Sequence, residues 1–314
     1  MRKPRFERTP MGLNLQLTGR DGEILRHVAT HRFLTSRQIH LLVGGSLQHL
    51  LRRLQRLFHR GYLDRPRAQI RYFSEEGAQP LVYALGRNGA RSISTPSRTH
   101  SRYDNRTIKQ LYLQHTLVVA DVLIAFLRAC RTDGGPIISL EEDLCPGEAP
   151  GTAFRWAVSV KHGAESKRVG VVPDRTFALE SRVSGERVLF FVEADRATMP
   201  LSRRSLGQSS MLRKLLAYEA TWRKGIHSER YGISRFRVLV VTTSAERAHH
   251  MAELCAEIPH ARGLFLFTDT DTMKARVIPY TSGNVLDLPW LCANGRREFL
   301  RDLWITSVPS KSAA

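Results

Sequence analysis

Asp174 and the pair Glu193-x-Asp195 are the side chains of this sequence whose types and spacing best suit chemistry. Each sits at the end of an apolar run that reads as a central strand: residues 168–172 run into Pro173-Asp174, and residues 188–192 (VLFFV) run into Glu193. The stretch between Asp174 and Glu193 is long enough for a hairpin that lays the two strands side by side. Carboxylates converging from adjacent strand ends are what a hard cation such as Mg²⁺ takes. It binds one or two of them, keeps several waters, and activates one water against a phosphodiester. Strand-end salt bridges with the many nearby arginines are the other reading of the same residues.

A second constellation lies in residues 35–60, TSRQIHLLVGGSLQHLLRRLQRLFHR. Gly44-Gly45 breaks it into two short helices, and Ser46 is a good N-cap for the second. There Leu47, Leu50, Leu51, Leu54, Leu57 and Phe58 recur at spacings of three and four and predict one apolar face. The opposite face carries Gln48, His49, Arg52, Arg53, Gln55, Arg56 and Arg60, with Arg37 on the preceding helix. A polar face with four arginines, amides and no carboxylate suits the phosphate-lined major groove of DNA. Residues 62–64 and 81–85 then read as the strands of a hairpin whose polar tip holds Arg65, Arg67 and Arg71. Three helices followed by such a hairpin resemble winged-helix DNA-binding proteins. The resemblance implies that Arg52, Arg53 and Arg56 face the groove and backbone. It also sends the wing arginines to neighbouring phosphates or the minor groove. A winged helix used only for protein contacts is the alternative.

Charge supports the nucleic-acid reading. The 314-residue chain carries a formal net charge of +19, and its first 106 residues hold 20 basic against 7 acidic side chains, +13 of that total. A polyanion is the natural partner of such a chain. Hydrophobic content of 42% with 25% charged residues describes globular domains and excludes a disordered chain. Cys130, Cys145, Cys255 and Cys292 are scattered without metal-ligand spacing, as expected of reduced thiols in a cytoplasmic protein. The basic N-terminus leads to no apolar signal core. The best apolar run, residues 117–130, is too short for a bilayer and contains Asp121 and Arg128, so no membrane partner is expected.

The expected organisation is a basic arm over 1–16, a winged-helix (α+β) domain over 17–93 opened by a Thr18/Asp21 capping box, a linker over 94–106, and an α/β domain over 107–314. In the last, a helix at 108–131 precedes strand candidates at 137–144, 154–160, 168–172, 176–180 and 188–192. A helix at 202–224, a strand at 237–242, a helix at 245–258 and a strand at 264–268 follow. This order predicts a mixed sheet flanked by helices. No phosphate-binding GxxxxGK[ST] loop or GxSxG elbow is present. His249-His250 lack a third ligand and read as surface residues.

The second domain resembles the PD-(D/E)xK nuclease superfamily, which has a restriction-endonuclease-like fold. Pro173-Asp174 match its first motif and Glu193 its second, while Asp195 stands where that superfamily has lysine. The resemblance implies an Asp174, Glu193 and Asp195 metal site for Mg²⁺ or Mn²⁺, with Lys214 of the next helix supplying the missing cation. Otherwise the fold is kept and its chemistry lost. Both halves together, through RFLTSRQI, LLRRLQRLFHRGYL, PLVYALGRNGAR, QHTLVVADV, VPDRTFAL, FFVEADRATMPL and KLLAY, look like the replication-relaxation family. That family's Glu-x-Asp-Arg-x-Thr pattern is matched by Glu193, Asp195, Arg196 and Thr198. The likeness implies a duplex-DNA-binding protein of a plasmid or mobile element, acting in replication, DNA relaxation or their control. Binding would need no cofactor. The alternatives are a metal-dependent nickase targeted by the winged helix, and an adaptor docking a relaxase or replication initiator. A homodimer reading two half-sites is compatible with each.

Overall fold

The computed structural model describes residues 5–9, 15–70, 79–93, 102–148, 152–277 and 283–305, in two compact units, 1–124 and 125–314. In the first unit, α1 (Gly19–His31), β1 (Phe33–Thr35), α2 (Ser36–Val43), α3 (Leu47–His59), β2 (Leu63–Asp64), β3 (Val82–Leu85), α4 (Arg87–Ser92) and α5 (Arg102–Thr107) follow one another. Then α6 (Gln110–Ala129) begins. The capping box at Thr18 forms as the sequence predicts: Thr18 Oγ1 accepts the Asp21 N–H, and the Asp21 carboxylate accepts the Thr18 N–H at 2.7 Å. Gly44 and Gly45 have φ of 65° and 74°, a conformation that ends α2 and that side chains resist. Ser46 caps α3. The three short strands form an antiparallel sheet in the order β1-β3-β2.

Two expectations for this unit change. Leu50, Leu54, Leu57 and Phe58 are buried, but Leu47 and Leu51 are each 41% exposed, so the buried stripe of α3 is narrower than its apolar pattern. The core takes the 50–54–57 line, and Leu51 lies about 100° round the helix from it. Residues 102–106, read as linker, begin α5, and Asn105 is buried, donating to Asp64 Oδ2 and to the Leu85 carbonyl at 3.0 Å each. The division between units falls within α6, after Ile124. This 20-residue helix is long and apolar enough to cross a membrane by length and composition. Its Leu113 packs with Phe33, Val82 and Ala84, and its Asp121 accepts from Gln38 Nε2 at 2.8 Å.

The second unit runs β4 (Ile137–Leu140), α7 (Glu141–Leu144), β5 (Trp156–His162), β6 (Glu165–Val171), β7 (Arg175–Glu180), β8 (Arg187–Ala194), α8 (Met211–Arg223), α9 (Ile226–Tyr231) and β9 (Phe236–Thr242). It continues with α10 (Ala245–Ala256), β10 (Phe265–Asp269), α11 (Thr270–Arg276), β11 (Trp290–Cys292), β12 (Arg297–Glu298) and α12 (Asp302–Ile305). Its seven-stranded sheet has the order β12-β11-β10-β9-β8-β7-β4; β8, β9 and β10 are parallel neighbours and the other pairs antiparallel. The wholly apolar VLFFV run follows from burial on both faces. Phe190 stacks on Phe177 and meets Phe126 of α6, while Phe191 meets Tyr218 of α8.

Three boundaries shift for local reasons. The strand at 137–144 stops at Leu140, where the Asp143 carboxylate accepts the Leu140 N–H and starts α7. The helix expected from Ser202 starts at Met211, capped by Ser210. Residues 165–171 pair only with β5, in a separate two-stranded ribbon, so Asp174 precedes β7 instead of ending a central strand.

Gly89 tests the packing of the first unit. A Cβ there would lie 2.2 Å from the Tyr62 carbonyl oxygen, whereas a Cβ at Gly170 would meet nothing within 4 Å. Gly89→Ala is expected to cost about 1–3 kcal/mol and Gly170→Ala little, as read by urea unfolding of each variant.

Candidate nucleic-acid interface and buried carboxylate site

The predicted arginine face of α3 divides in two. Gln48, His49, Arg52 and Arg56 are exposed, as is Arg37 in the first turn of α2. Among the described residues Arg37, Arg52 and Arg56 have no carboxylate partner. Arg53 is different: its Nε donates to Asp21 Oδ1 at 2.7 Å, and Nη2 donates to Asp21 Oδ2 and to the Gln16 carbonyl. Asp21 is 1% exposed, and a carboxylate so far out of water requires this cation and the Thr18 donors. Burial pushes the Asp21 carboxyl up, but the bonds from Arg53 and Thr18 outweigh it and hold it below its ordinary range. Arg53 therefore fastens α3 to the start of α1.

Arg60 closes α3 through its backbone N–H, and its carbonyl accepts from Asn88 Nδ2 at 2.8 Å. Arg65 lies over the rings of Phe58 and Tyr83, 4.1 and 5.3 Å from their centres. Arg67 is exposed, 3.9 Å from Glu7. Arg71 lies outside the described residues.

In the second unit, antiparallel pairing sets Asp174 beside Glu193: the Asp174 N–H donates to the Val192 carbonyl, and Asp174 Oδ2 accepts the Ala194 N–H at 2.8 Å. Glu193 is buried, and α8 supplies its partners. Lys214 Nζ donates to Oε2 at 2.5 Å, and Tyr218 donates its hydroxyl to Oε1 at 2.7 Å. Lys214 and Tyr218 are four residues apart and so share a helix face. Burial pushes the Glu193 carboxyl up, Lys214 offsets that in part, and Asp174 adds to it. Burial alone would lower the Lys214 ammonium, but Glu193 and Asp174 more than offset it, so it is raised. The Tyr218 hydroxyl is raised by burial and by Glu193 and stays protonated.

Asp195 serves a different contact. Its oxygens accept from Arg247 Nε at 2.6 Å and Nη2 at 3.2 Å, from the Thr242 hydroxyl at 2.7 Å and from the Ala197 N–H at 3.1 Å. Burial raises its carboxyl, and the bonds from Arg247, Thr242 and Ala197 outweigh this and lower it. Sequence reasoning missed both Arg247 and Tyr218. Tyr218 had a signal, four residues after Lys214; Arg247 is one of many arginines. Glu141, also missed, is buried at the same sheet end and accepts the Thr176 N–H at 3.1 Å.

These donors do not fit a divalent cation. Both Glu193 oxygens and both Asp195 oxygens already accept hydrogen bonds, and the Lys214 ammonium is the cation beside Glu193. Among the described residues no three His, Cys, Asp or Glu side chains cluster so as to hold a metal.

Fold and sites together define a mixed α/β protein with one small cation-faced unit and one larger unit built on a mixed sheet with buried, internally paired carboxylates. A family model described as replication-relaxation matches residues 25–235, two thirds of the sequence, and the chain belongs to that family. Membership suggests a role in replication or relaxation. No curated protein and no solved structure matches the chain.

The ion pairs set the response to pH and mutation. Asp195, with a folded value below its ordinary 3.8, contributes stability that is present above that pH and lost as pH falls through the folded value. Asp195→Asn should flatten the acid limb of a stability–pH curve measured by urea unfolding, although Asp21 keeps its own share. Lys214→Met leaves Glu193 buried without its cation. It should cost about 2 kcal/mol at pH 7 and less at pH 5, because a protonated Glu193 needs no counter-charge. An equal loss at both pH values would show that the pair is not the cause.

Proposed function

We propose that the protein binds duplex DNA through α3 of its first unit, and that this binding serves replication or relaxation of a plasmid or other mobile element. The unit is read as a winged helix, with α3 as recognition helix and β2–β3 as the base of the wing. One observation carries the reading: Arg37, Arg52 and Arg56 are exposed cations that, among the described residues, the fold does not neutralise, next to exposed Gln48 and His49. Guanidinium groups match phosphate oxygens in charge and geometry and release counterions when they bind. Amides and imidazole on the same face have the donors and acceptors that base edges require. Arg53 is excluded from that role by its contact with Asp21, and it acts by fixing the angle at which α3 is presented.

A second reading, strand cleavage, is favoured by the reach of Lys214 from α8 to Glu193. On this reading Lys214 balances charge developing on a phosphate near the sheet end, beside Asp174.

Duplex binding followed by fluorescence anisotropy against salt tests the first reading. Arg52→Gln/Arg56→Gln should weaken affinity at every salt concentration and reduce the slope of log K against log[salt] by roughly two. Arg53→Gln should lower stability first. An unchanged slope in the double variant would overturn the reading. Supercoiled plasmid incubated with Mg²⁺, Mn²⁺ or EDTA, for wild type, Lys214→Met and Asp174→Ala, tests the second. Nicking abolished by both changes supports cleavage, and intact plasmid throughout leaves DNA binding alone.

A further inference from the structure

One cleft of the first unit, bordered by Phe58 of α3 and by Arg65 and Arg67, gathers more positive charge than the fold neutralises. The cleft is shallow and open at its mouth, and Phe6 and Phe58 contribute to its walls. Arg8, Arg65, Arg67 and Arg106 line it from three separate segments, with Asp64 as its one lining carboxylate. Asp64 is occupied at the floor, where Oδ1 accepts from Arg8 and Oδ2 from Asn105 Nδ2 at 3.0 Å. With Asp64 taken by Arg8 and Glu7 3.9 Å from Arg67, four guanidinium groups against two carboxylates leave a local excess of two positive charges.

The cleft is built before any ligand arrives. Arg8 is pinned by the carbonyls of Phe58 and Leu63 at 2.9 and 3.1 Å, and the Arg65 guanidinium lies against the Phe58 and Tyr83 rings. Two buried polar atoms of the cleft lining have no hydrogen-bond partner among the described residues: Arg65 Nε, and Oδ1 of Asn105, a residue only 1% exposed. A buried acceptor without a donor is a cost that a ligand can remove.

We propose that this cleft binds a phosphomonoester of the 5′-nucleotide class. A phosphomonoester carries about −1.5 to −2 charge at pH 7 and three acceptor oxygens, a better match to the surplus than the single charge of a phosphodiester. Arginine forks bind such oxygens in pairs. The Phe6 and Phe58 rings offer apolar surface to the base. The phosphomonoester is either that of a free nucleotide or that of a phosphorylated DNA end. The site goes beyond duplex binding through α3 and does not depend on it.

Calorimetric titration of the full chain with deoxyadenosine 5′-monophosphate at fixed ionic strength tests the proposal. Saturable binding is expected, with deoxyadenosine at least about tenfold weaker. Arg67→Gln/Arg106→Gln changes two exposed side chains, so the fold should survive, while affinity for the monophosphate falls about tenfold. Arg52→Gln/Arg56→Gln should leave it unchanged, which separates this site from α3. No saturable heat, equal binding of the nucleoside, or full affinity in the Arg67/Arg106 variant overturns the proposal. Competition identifies the source. Displacement by a 5′-phosphorylated duplex but not by its 5′-hydroxyl counterpart assigns the site to DNA ends. Displacement by neither assigns it to free nucleotides, and equal displacement by both overturns it in favour of backbone diesters.

Discussion

A carboxylate removed from water must find a cation and enough hydrogen-bond donors, or it destabilises the fold that buries it. In this chain that requirement sorts the cations into two groups. Asp21 takes Arg53, Asp64 takes Arg8, Glu193 takes Lys214 and Asp195 takes Arg247. Each pair joins segments distant in sequence, so the paired residues hold the elements in place. The arginines left over, Arg37, Arg52 and Arg56 on one surface and Arg106 at the cleft, carry surplus charge outward. A net charge of +19 thus resolves into local structure and ligand-facing surface.

The same sorting explains what could be read from the sequence. Caps and glycine breaks gave the start of α1 and the extent of α2 and α3 to within a residue or two, because those signals are local: Thr18 and Ser46 need only the next few N–H groups. Asp174 beside Glu193 was expected, but at the end of a strand over 168–172; the hairpin that sets them together pairs 175–180 with 187–194. Arg53 could not be told from Arg52 on the helix, because the difference is Asp21, 32 residues away. For Asp195 the difference is Arg247, 52 residues on. The ribbon of β5 and β6 was likewise hidden, since its alternation fits a place in the main sheet equally well.

At the sheet end of the second unit, these pairs turn an acidic constellation into a neutralised one. Glu193 faces a lysine and a tyrosine that share one helix face, and Asp195 is enclosed by Arg247 and Thr242. The spacing that suggested a hard-cation site is present, and the charges it would need are already balanced from within. The first unit has the opposite character, with cations that the fold supports but does not neutralise.

Hydrogen–deuterium exchange of the full chain, with and without a duplex at saturating concentration, tests the central claim most directly. Slowed exchange in residues 47–60, with the sheet end around 174 and 193 unchanged, is the expected result. Protection confined to that sheet end, with 47–60 exchanging as in the free protein, would contradict α3 as the DNA-binding element.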